Sequence, residues 1–168
     1  MRSIAVCFVL LLCQGLAPAF AQDATPSPDS ATAVCTFADG QQVSVQYSTS
    51  ATATEEPRNG KPWRPAGSQM ILFSQTPLTI NKVDLAAGAY SLWLIPDKKS
   101  WTLVVSKDVK QGSAYDPTQD LVREPMEVGQ LPTPSKLVDI GFGHLAPKLC
   151  NLRVYYGRIG AWADISQK

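Results

Sequence analysis

The chain has 168 residues and a formal net charge of +1 at pH 7, from 15 basic and 14 acidic side chains. Balanced charge without a basic cluster argues against nucleic acid or an anionic membrane as the partner. The length suits one domain that buries a full hydrophobic core.

Residues 1–21 have the pattern of a secretory signal peptide. A single basic residue, Arg2, precedes an apolar core from Ile4 to Leu12, and a small-x-small cleavage site follows. The apolar core is shorter than the ~20 residues that span a bilayer, and Cys13 lacks the small residue that must precede a lipidated cysteine. We therefore expect an exported protein, periplasmic or extracellular, whose mature part does not enter the membrane.

Cleavage after residue 21 would remove two of the four cysteines and leave Cys35 and Cys150. In an oxidising compartment two cysteines most simply form one disulfide, which here would close a loop of 150 minus 35, or 115, positions. No Cys-x-x-Cys spacing favours a reactive or metal-binding pair of thiols. The sequence thus predicts a bridge between the first and last strands.

The domain is expected to begin after a flexible leader at residues 22–32, which is rich in Pro, Ser, Thr and Ala. Two strands, Val34–Phe37 and Gln42–Ser48, flank Asp39-Gly40, a dipeptide that accepts the positive φ of a hairpin turn. Three side chains of the second strand are predicted to point inward: Val43, Val45 and Tyr47. A polar loop follows, and then a short apolar strand at Met70–Ser74.

The run from Leu78 to Lys107 predicts three strands and the turns between them. Alternating apolar residues cover Leu78–Leu85, Ala87-Gly88 breaks the pattern, and a turn at residues 96–100 joins the strands Tyr90–Ile95 and Trp101–Val105. Two registers of this last hairpin are open. One gathers Trp93 and Trp101 on one face; the other gathers Leu92, Leu94, Trp101, Leu103 and Val105. Either way both faces keep large apolar groups, which predicts cover by a second sheet.

Beyond Lys107 the pattern predicts a loop at residues 109–119, a strand at 121–128 and a crossing over the sheet edge at the proline-containing residues 129–134. Three further strands are predicted at residues 137–140, 149–156 and 158–165. No segment has a sustained 3.6-residue apolar stripe. The sequence therefore predicts one all-β domain at residues 33–168, an antiparallel β-sandwich of roughly 8 to 10 strands.

Three blocks of the chain resemble a known family. The segment Leu85–Pro96, followed by Trp101-Thr102-Leu103 and Lys107, resembles the hallmark L-P-A-G-T-Y-S-L-F-x-I-P, W-T-x, K of a bacterial exported family, domain of unknown function 2911. Upstream, Val45–Ser48 resembles its V-x-Y-S opening, and Gly60–Arg64 resembles its G-K-x-W-R. The resemblance implies a β-rich exported domain and brings no established activity.

The chain departs from this pattern directly after Arg64. The family usually continues T-G-A-N-E, whereas this chain reads Pro65-Ala66-Gly67-Ser68-Gln69. An amide therefore stands at the acidic position, with a hydroxyl beside it. If that polar pair serves a site in relatives, this chain lacks its acidic member.

Residues that catalysis or metal binding requires are sparse. His144 is the only histidine, and no Gly-x-Ser-x-Gly motif supplies a nucleophile for it. A copper centre needs two histidines beside a cysteine, and no Asp-x-Asp-x-Asp run marks a calcium loop. Gly-x-Gly at residues 141–143 lacks the Lys-Ser or Lys-Thr of a phosphate loop. We expect no metal and no cofactor, and we interpret His144 as a loop residue.

Aromatic side chains supply the main ligand-binding hypothesis. Trp63 can stack on a sugar ring or a cation while Arg64 orients a carboxylate or phosphate, and Tyr155 can add a platform because adjacent strand residues face opposite ways. The alternative is that Trp63 caps the sandwich and Arg64 pairs with an acid across the sheet. The candidate ligand-binding residues are Trp63, Arg64, His144 and Tyr155.

Two functions follow from these observations. The sequence favours a non-catalytic exported module that binds an unknown small molecule, a glycan or an envelope protein, or that has a structural role. The alternative is a hydrolase or lyase acting on an extracellular substrate such as a carbohydrate. Its general acid and base would be Asp139 with Asp164, or Glu124 with Glu127. No catalytic residue is assigned.

Overall fold

The computed structural model describes residues 30–168; the predicted signal peptide and most of the predicted leader lie outside this range. The described chain contains ten β-strands and three single turns of 3-10 helix. The strands are β1 Ser30–Thr36, β2 Gln42–Ser48, β3 Ser50–Ala51, β4 Met70–Ser74, β5 Leu78–Ile80, β6 Val83–Leu85, β7 Gly88–Ile95, β8 Trp101–Ser106, β9 Asp120–Ala146 and β10 Leu149–Gln167. Within residues 30–168, no helix has the length and hydrophobicity that a membrane crossing requires.

Nine strands follow one antiparallel path in the order β1-β2-β4-β7-β8-β9-β10-β5-β6, and β3 pairs with β9 beside it. β9 belongs to both layers, because residues 120–126 pair with β8 and residues 127–146 pair with β10. The path folds over at β9 and does not close into a barrel. The predicted antiparallel β-sandwich is confirmed.

The predicted first hairpin is confirmed, with β1 and β2 in register around Gly40, whose φ is +84°. Val43, Val45 and Tyr47 are 0%, 0% and 4% exposed, as the alternation predicted. β1 begins at Ser30, so residues 30–32 belong to a strand rather than to the leader. Backbone hydrogen bonds from β2 to its neighbours β1 and β4 hold the buried residues of β2 in place.

The predicted disulfide is also confirmed. Cys35 of β1 and Cys150 of β10 are bonded, with 6.4 Å between their Cα atoms. The bond joins an edge strand of the first layer to a strand of the second layer, and it closes a loop of 115 positions. Loops of this size give about 4 to 5 kcal/mol in the chain-entropy model.

The run from Leu78 to Lys107 forms four strands, so the prediction of three is wrong. Asn81 and Lys82 have φ of +48° and +64° and make a two-residue turn between β5 and β6. This hairpin pairs with β10, whereas β7 and β8 belong to the other layer. Val83 is 39% exposed, so burial does not alternate across this turn; the segment resembled a single strand because apolar and polar residues alternate on each side of it.

The β7–β8 hairpin adopts the second of the two predicted registers, with Leu92 opposite Val105 and Leu94 opposite Leu103. These four side chains and Trp101 are all 2% exposed or less. They form one core with residues of the second layer, including Leu152, Val154 and Ile165. The opposite face of β7 carries Ser91 and Trp93.

β9 and β10 are continuous strands of 27 and 19 residues, so the predicted edge crossing and the three predicted short strands are wrong. The pairing is interrupted where Gln130 and Ser135 pair with Ile159 and Gly157, which leaves four residues of β9 opposite one of β10. The two prolines of this segment fall inside that bulge, where no ladder N–H is needed. Gly157 has φ of +56°, and the long hairpin bends here.

Candidate functional site

The bend in the β9–β10 hairpin brings distant residues together. The side chains of Asn151 and Asp164 are hydrogen-bonded at 2.8 Å although they are 13 residues apart on one strand. A straight strand would separate them by about 40 Å. The bend forms a half-open hollow of about 610 Å³, which we call the β9–β10 cavity. Its lining residues are Glu124, Pro125, Glu127, Leu145, Asn151, Arg153, Tyr155, Trp162, Ala163 and Asp164.

Trp162 forms a fixed aromatic wall of this cavity. Its indole ring lies over two glycines: a Cβ on Gly129 would stand 2.6 Å from the ring, and a Cβ on Gly160 would stand 3.3 Å from it. Its Nε1 donates to Glu127 Oε2 at 2.7 Å. Because glycine alone leaves this space and the hydrogen bond sets the ring's rotation, Trp162 presents a flat apolar surface in one orientation.

A chain of hydrogen bonds fixes the polar side chains of the cavity. Arg153 Nε donates to Asn151 Oδ1 at 3.0 Å, and Asn151 Nδ2 donates to Asp164 Oδ1 at 2.8 Å. The guanidinium of Arg153 occupies the space that a side chain on Gly143 would need. The Gly-x-Gly at residues 141–143 therefore makes room for Arg153.

Among the ionisable groups of the cavity, Glu124 has the least favourable environment for its charged form. It shares the core-directed face of β9 with Val122 and Met126, since alternate residues of a strand point the same way. Its Oε2 is buried without a hydrogen-bond partner among the described residues. Burial raises the pKa of the Glu124 carboxyl, and the nearby Asp164 raises it further. A buried carboxylate oxygen without a donor is costly, so this atom favours any ligand that brings one.

The charge of the cavity is negative. Three carboxylates line it, from Glu124, Glu127 and Asp164, against one guanidinium from Arg153. Flat apolar surface and mixed hydrogen-bonding groups suit a ligand that carries both C–H faces and hydroxyl groups. The negative charge disfavours anionic ligands.

Of the four candidate ligand-binding residues, Tyr155 alone lines the β9–β10 cavity. Of the two proposed acid pairs, Glu124 and Glu127 both line the cavity, whereas Asp164 lines it without Asp139. Glu124, Glu127 and Asp164 share the cavity, and the neighbouring carboxyl that raises the pKa of Glu124 is that of Asp164. Asp139 instead accepts a hydrogen bond from the Tyr47 hydroxyl and links β9 to β2.

Tyr47 completes that link by accepting from the backbone N–H of Ile140 at 3.0 Å. Burial, followed by the hydrogen bond to Asp139, raises the pKa of Tyr47 to about 12. Asp139 thus has a structural partner and does not line the β9–β10 cavity.

Trp63 packs against the end of the core. Its ring meets Trp101 and Tyr156 edge to face, with centroids 5.9 Å and 5.8 Å away, and its Nε1 donates to Glu55 Oε2 at 2.9 Å. Its backbone pairs with Leu94. Trp63 therefore caps the sandwich. Tyr156 faces this cluster while its neighbour Tyr155 faces the cavity, as strand alternation requires.

Arg64 lies on the outer face of the first layer and stacks on Trp93, with its guanidinium carbon 3.6 Å from the ring centroid. Its Nη2 donates to the Ser113 carbonyl at 3.3 Å. The predicted acid partner across the sheet is not present, because the two ion pairs within residues 30–168 are formed by Arg123 and Lys168. Burial lowers the pKa of Arg64.

His144 is an exposed residue of β9, opposite Cys150, and not a loop residue as predicted. It does not line the β9–β10 cavity, although its neighbour Leu145 does. Across the described chain, no three His, Cys, Asp or Glu side chains are grouped so as to hold a metal ion.

Sequence reasoning missed Asn151, Arg153 and Trp162. Asn151 and Arg153 alternate with the buried Leu152 and Val154, so the two-residue period of β10 predicts that their side chains point away from the core. Their meeting with Trp162 depends on the bend, which no local pattern indicates.

Comparison with known proteins identifies the family. A family model described as a protein of unknown function (DUF2911) matches residues 27–161. The chain belongs to this family. No match was found among curated proteins or among solved structures.

The DUF2911 match spans most of the fold but ends one residue before Trp162. The matched range includes Gln69, at which the sequence departs from the resembled pattern. The Gln69 amide donates to the Lys110 carbonyl at 3.4 Å, and Gln69 lines a recess together with Arg64.

Proposed function

We propose that this protein is an exported binding module that holds a neutral glycan in the β9–β10 cavity. The observation that carries the proposal is the fixed Trp162 ring beside a set of hydrogen-bonded polar side chains in one hollow. A volume of about 610 Å³ lies within the usual range of small-molecule sites.

The aromatic groups account for affinity. Sugars present C–H faces that pack against indole and phenol rings, and burying this apolar area is favourable. Trp162 is already held in place by Gly129 and Glu127, so little side-chain freedom is lost when a ligand binds. Tyr155 adds a second ring.

The polar groups account for selectivity. Sugar hydroxyls both donate and accept, and the cavity offers carboxylate acceptors and the donors of Arg153. The Oε2 of Glu124 gains most from a hydroxyl donor, because it has no hydrogen-bond partner among residues 30–168. Three carboxylates against one guanidinium oppose binding of uronic acids and sulfated sugars.

Export is supported by two separate features. The first 21 residues have the signal-peptide pattern, and the Cys35–Cys150 bridge is typical of proteins that fold in an oxidising compartment.

The test is calorimetric titration of the disulfide-bonded protein with neutral disaccharides and with matched disaccharides that contain a uronic acid. We expect at least one neutral sugar to bind saturably and its uronic counterpart to bind at least tenfold more weakly. Trp162→Ala should weaken the neutral sugar about tenfold or more, which is ~1.4 kcal/mol.

Phe73→Ala is the matched control, because Phe73 is an exposed ring on β4 and does not line the cavity. It should bind like the native chain. Equal affinity of Trp162→Ala and the native protein, or no saturable binding of any neutral sugar, would refute the proposal.

A second candidate function, glycoside hydrolysis, rests on Glu124 and its neighbour Asp164. A carboxyl whose pKa is raised, next to the second carboxyl of Asp164, is the pattern of a general acid with its partner. If the protein is a glycoside hydrolase, reducing ends should be released from the sugar that binds, and Glu124→Gln should stop the release while binding persists. If no reducing ends appear, the hydrolase is excluded for that sugar and binding alone stands.

A further inference from the structure

Arg64 is a buried cation that has no anionic partner within residues 30–168. The residue is 9% exposed, and its Nε has no hydrogen-bond partner among the described residues. One bond from Nη2 to the Ser113 carbonyl, at 3.3 Å, is the only hydrogen bond that its five N–H groups make to described residues. Burial of a guanidinium without a counter-charge is unfavourable, so the folded protein bears a cost at this position.

Two carboxylates that share a hollow with Arg64 accept hydrogen bonds from other groups. Asp108 and Asp116 line a small hollow on the Trp93 side of Arg64. Asp108 accepts from the Lys110 backbone N–H at 3.0 Å, and Asp116 accepts from the Thr118 backbone N–H at 2.9 Å. Neither carboxylate comes within ion-pair distance of Arg64.

Arg64 also lines a second hollow, a recess of about 410 Å³ that contains no carboxylate. We call it the Arg64 recess. Its polar lining consists of the hydroxyls of Ser48 and Ser68 and the amides of Gln46, Gln69 and Gln111. Each of these groups can donate a hydrogen bond, and Arg64 supplies the only charge.

We propose that the Arg64 recess binds a small oxyanion, either a free phosphate or the phosphate group of a small organic molecule. The guanidinium is planar, carries several donors in a fork and is held on Trp93, which suits recognition of an oxyanion. Serine hydroxyls and glutamine amides supply further donors around it. The recess is separate from the β9–β10 cavity, so this proposal stands or falls independently of glycan binding.

The test is titration of the disulfide-bonded protein with inorganic phosphate, with glycerol 3-phosphate and with glycerol. We expect saturable binding of at least one phosphate compound and none of glycerol. Equal affinity for the two phosphate compounds identifies the free ion as the ligand, and tighter binding of glycerol 3-phosphate identifies an organic phosphate. The proposal is overturned if neither phosphate compound binds saturably.

Gln69→Glu is the informative variant, because it keeps the size of the side chain and places a carboxylate in the recess beside Arg64. It should weaken phosphate binding at least tenfold. Gln130→Glu makes the same charge change at an exposed residue outside the recess and should bind like the native chain. Both variants are checked by far-ultraviolet circular dichroism. Unchanged phosphate affinity in folded Gln69→Glu contradicts the proposal.

Discussion

The β9–β10 cavity and the Arg64 recess are two polar hollows on one sandwich, and their charges are opposite. The cavity has three carboxylates against one guanidinium, while the recess has one guanidinium and no carboxylate. Each contains one ionisable group with an unpaired buried atom, Glu124 in the cavity and Arg64 in the recess. These opposite lining charges are the basis for proposing different ligands for the two hollows.

The two hollows are also built differently. The cavity lies on strands, and its shape comes from the bulge and bend of the β9–β10 hairpin, with glycines backing the larger side chains. The recess is made largely by loop residues that surround one arginine of the Trp63-Arg64 block. Apart from Asp164, the polar residues of the cavity lie in regular ladder pairs, whereas most polar residues of the recess lie in loops, which commonly carry binding residues.

The largest expected effect comes from removing the disulfide, which should alter ligand binding in the two hollows to different degrees. The double substitution Cys35→Ala and Cys150→Ala should lower the free energy of unfolding by about 2 to 5 kcal/mol, measured by urea denaturation. Cys150 adjoins Asn151 in the cavity, whereas neither cysteine lines the recess. Sugar affinity should therefore fall more than phosphate affinity. An equal fall in both affinities would show that the hollows are not independent.

The next effect tests whether the absence of a side chain on Gly129 is what leaves space for the Trp162 ring. Gly129→Ala places a methyl group 2.6 Å from the Trp162 ring and should cost about 1 to 3 kcal/mol of stability while weakening sugar binding about tenfold. Gly141→Ala is the control, because the nearest atom its methyl group meets belongs to Tyr155 at 3.9 Å, an ordinary van der Waals contact. Its melting temperature should change less. If Gly129→Ala changes neither the melting temperature nor the sugar affinity, the Trp162 wall of the cavity is not rigid.

The smallest effect concerns pH. The folded-state pKa of Glu124 is raised above its ordinary value of 4.5, so its ionised form destabilises the fold. Glu124→Gln should melt up to a few °C higher than the native chain at pH 7. The difference should shrink as pH falls through the raised pKa and vanish below the ordinary value, because both states are then protonated. Glu56→Gln, at an exposed residue, controls for net charge. A difference that grows on acidification would contradict this assignment.

Local features of the sequence predicted much of the fold. The Asp39-Gly40 turn, the alternation in β2 and the cysteine count were sufficient for the first hairpin and the disulfide. The turn at Asn81-Lys82 was missed because it contains no glycine or proline and lies between two stretches that each alternate apolar and polar residues.

The candidate site was less accessible to sequence reasoning. Tyr155, Glu124 and Asp164 were named, but their convergence depends on a bend that brings together residues far apart in the chain. Arg64 was named as well, and its missing counter-charge could be established only from the positions of the surrounding carboxylates.

The central claim, that the two hollows take different ligands, is tested most directly by the four tryptophan indole N–H signals in a two-dimensional ¹H–¹⁵N spectrum. Trp162 belongs to the cavity, Trp93 lies under Arg64, and Trp63 and Trp101 pack together at the end of the core. The sugar that binds best should move the Trp162 signal alone, and glycerol 3-phosphate should move the Trp93 signal alone. A sugar that moves Trp93 and leaves Trp162 unchanged would contradict the assignment of the two hollows.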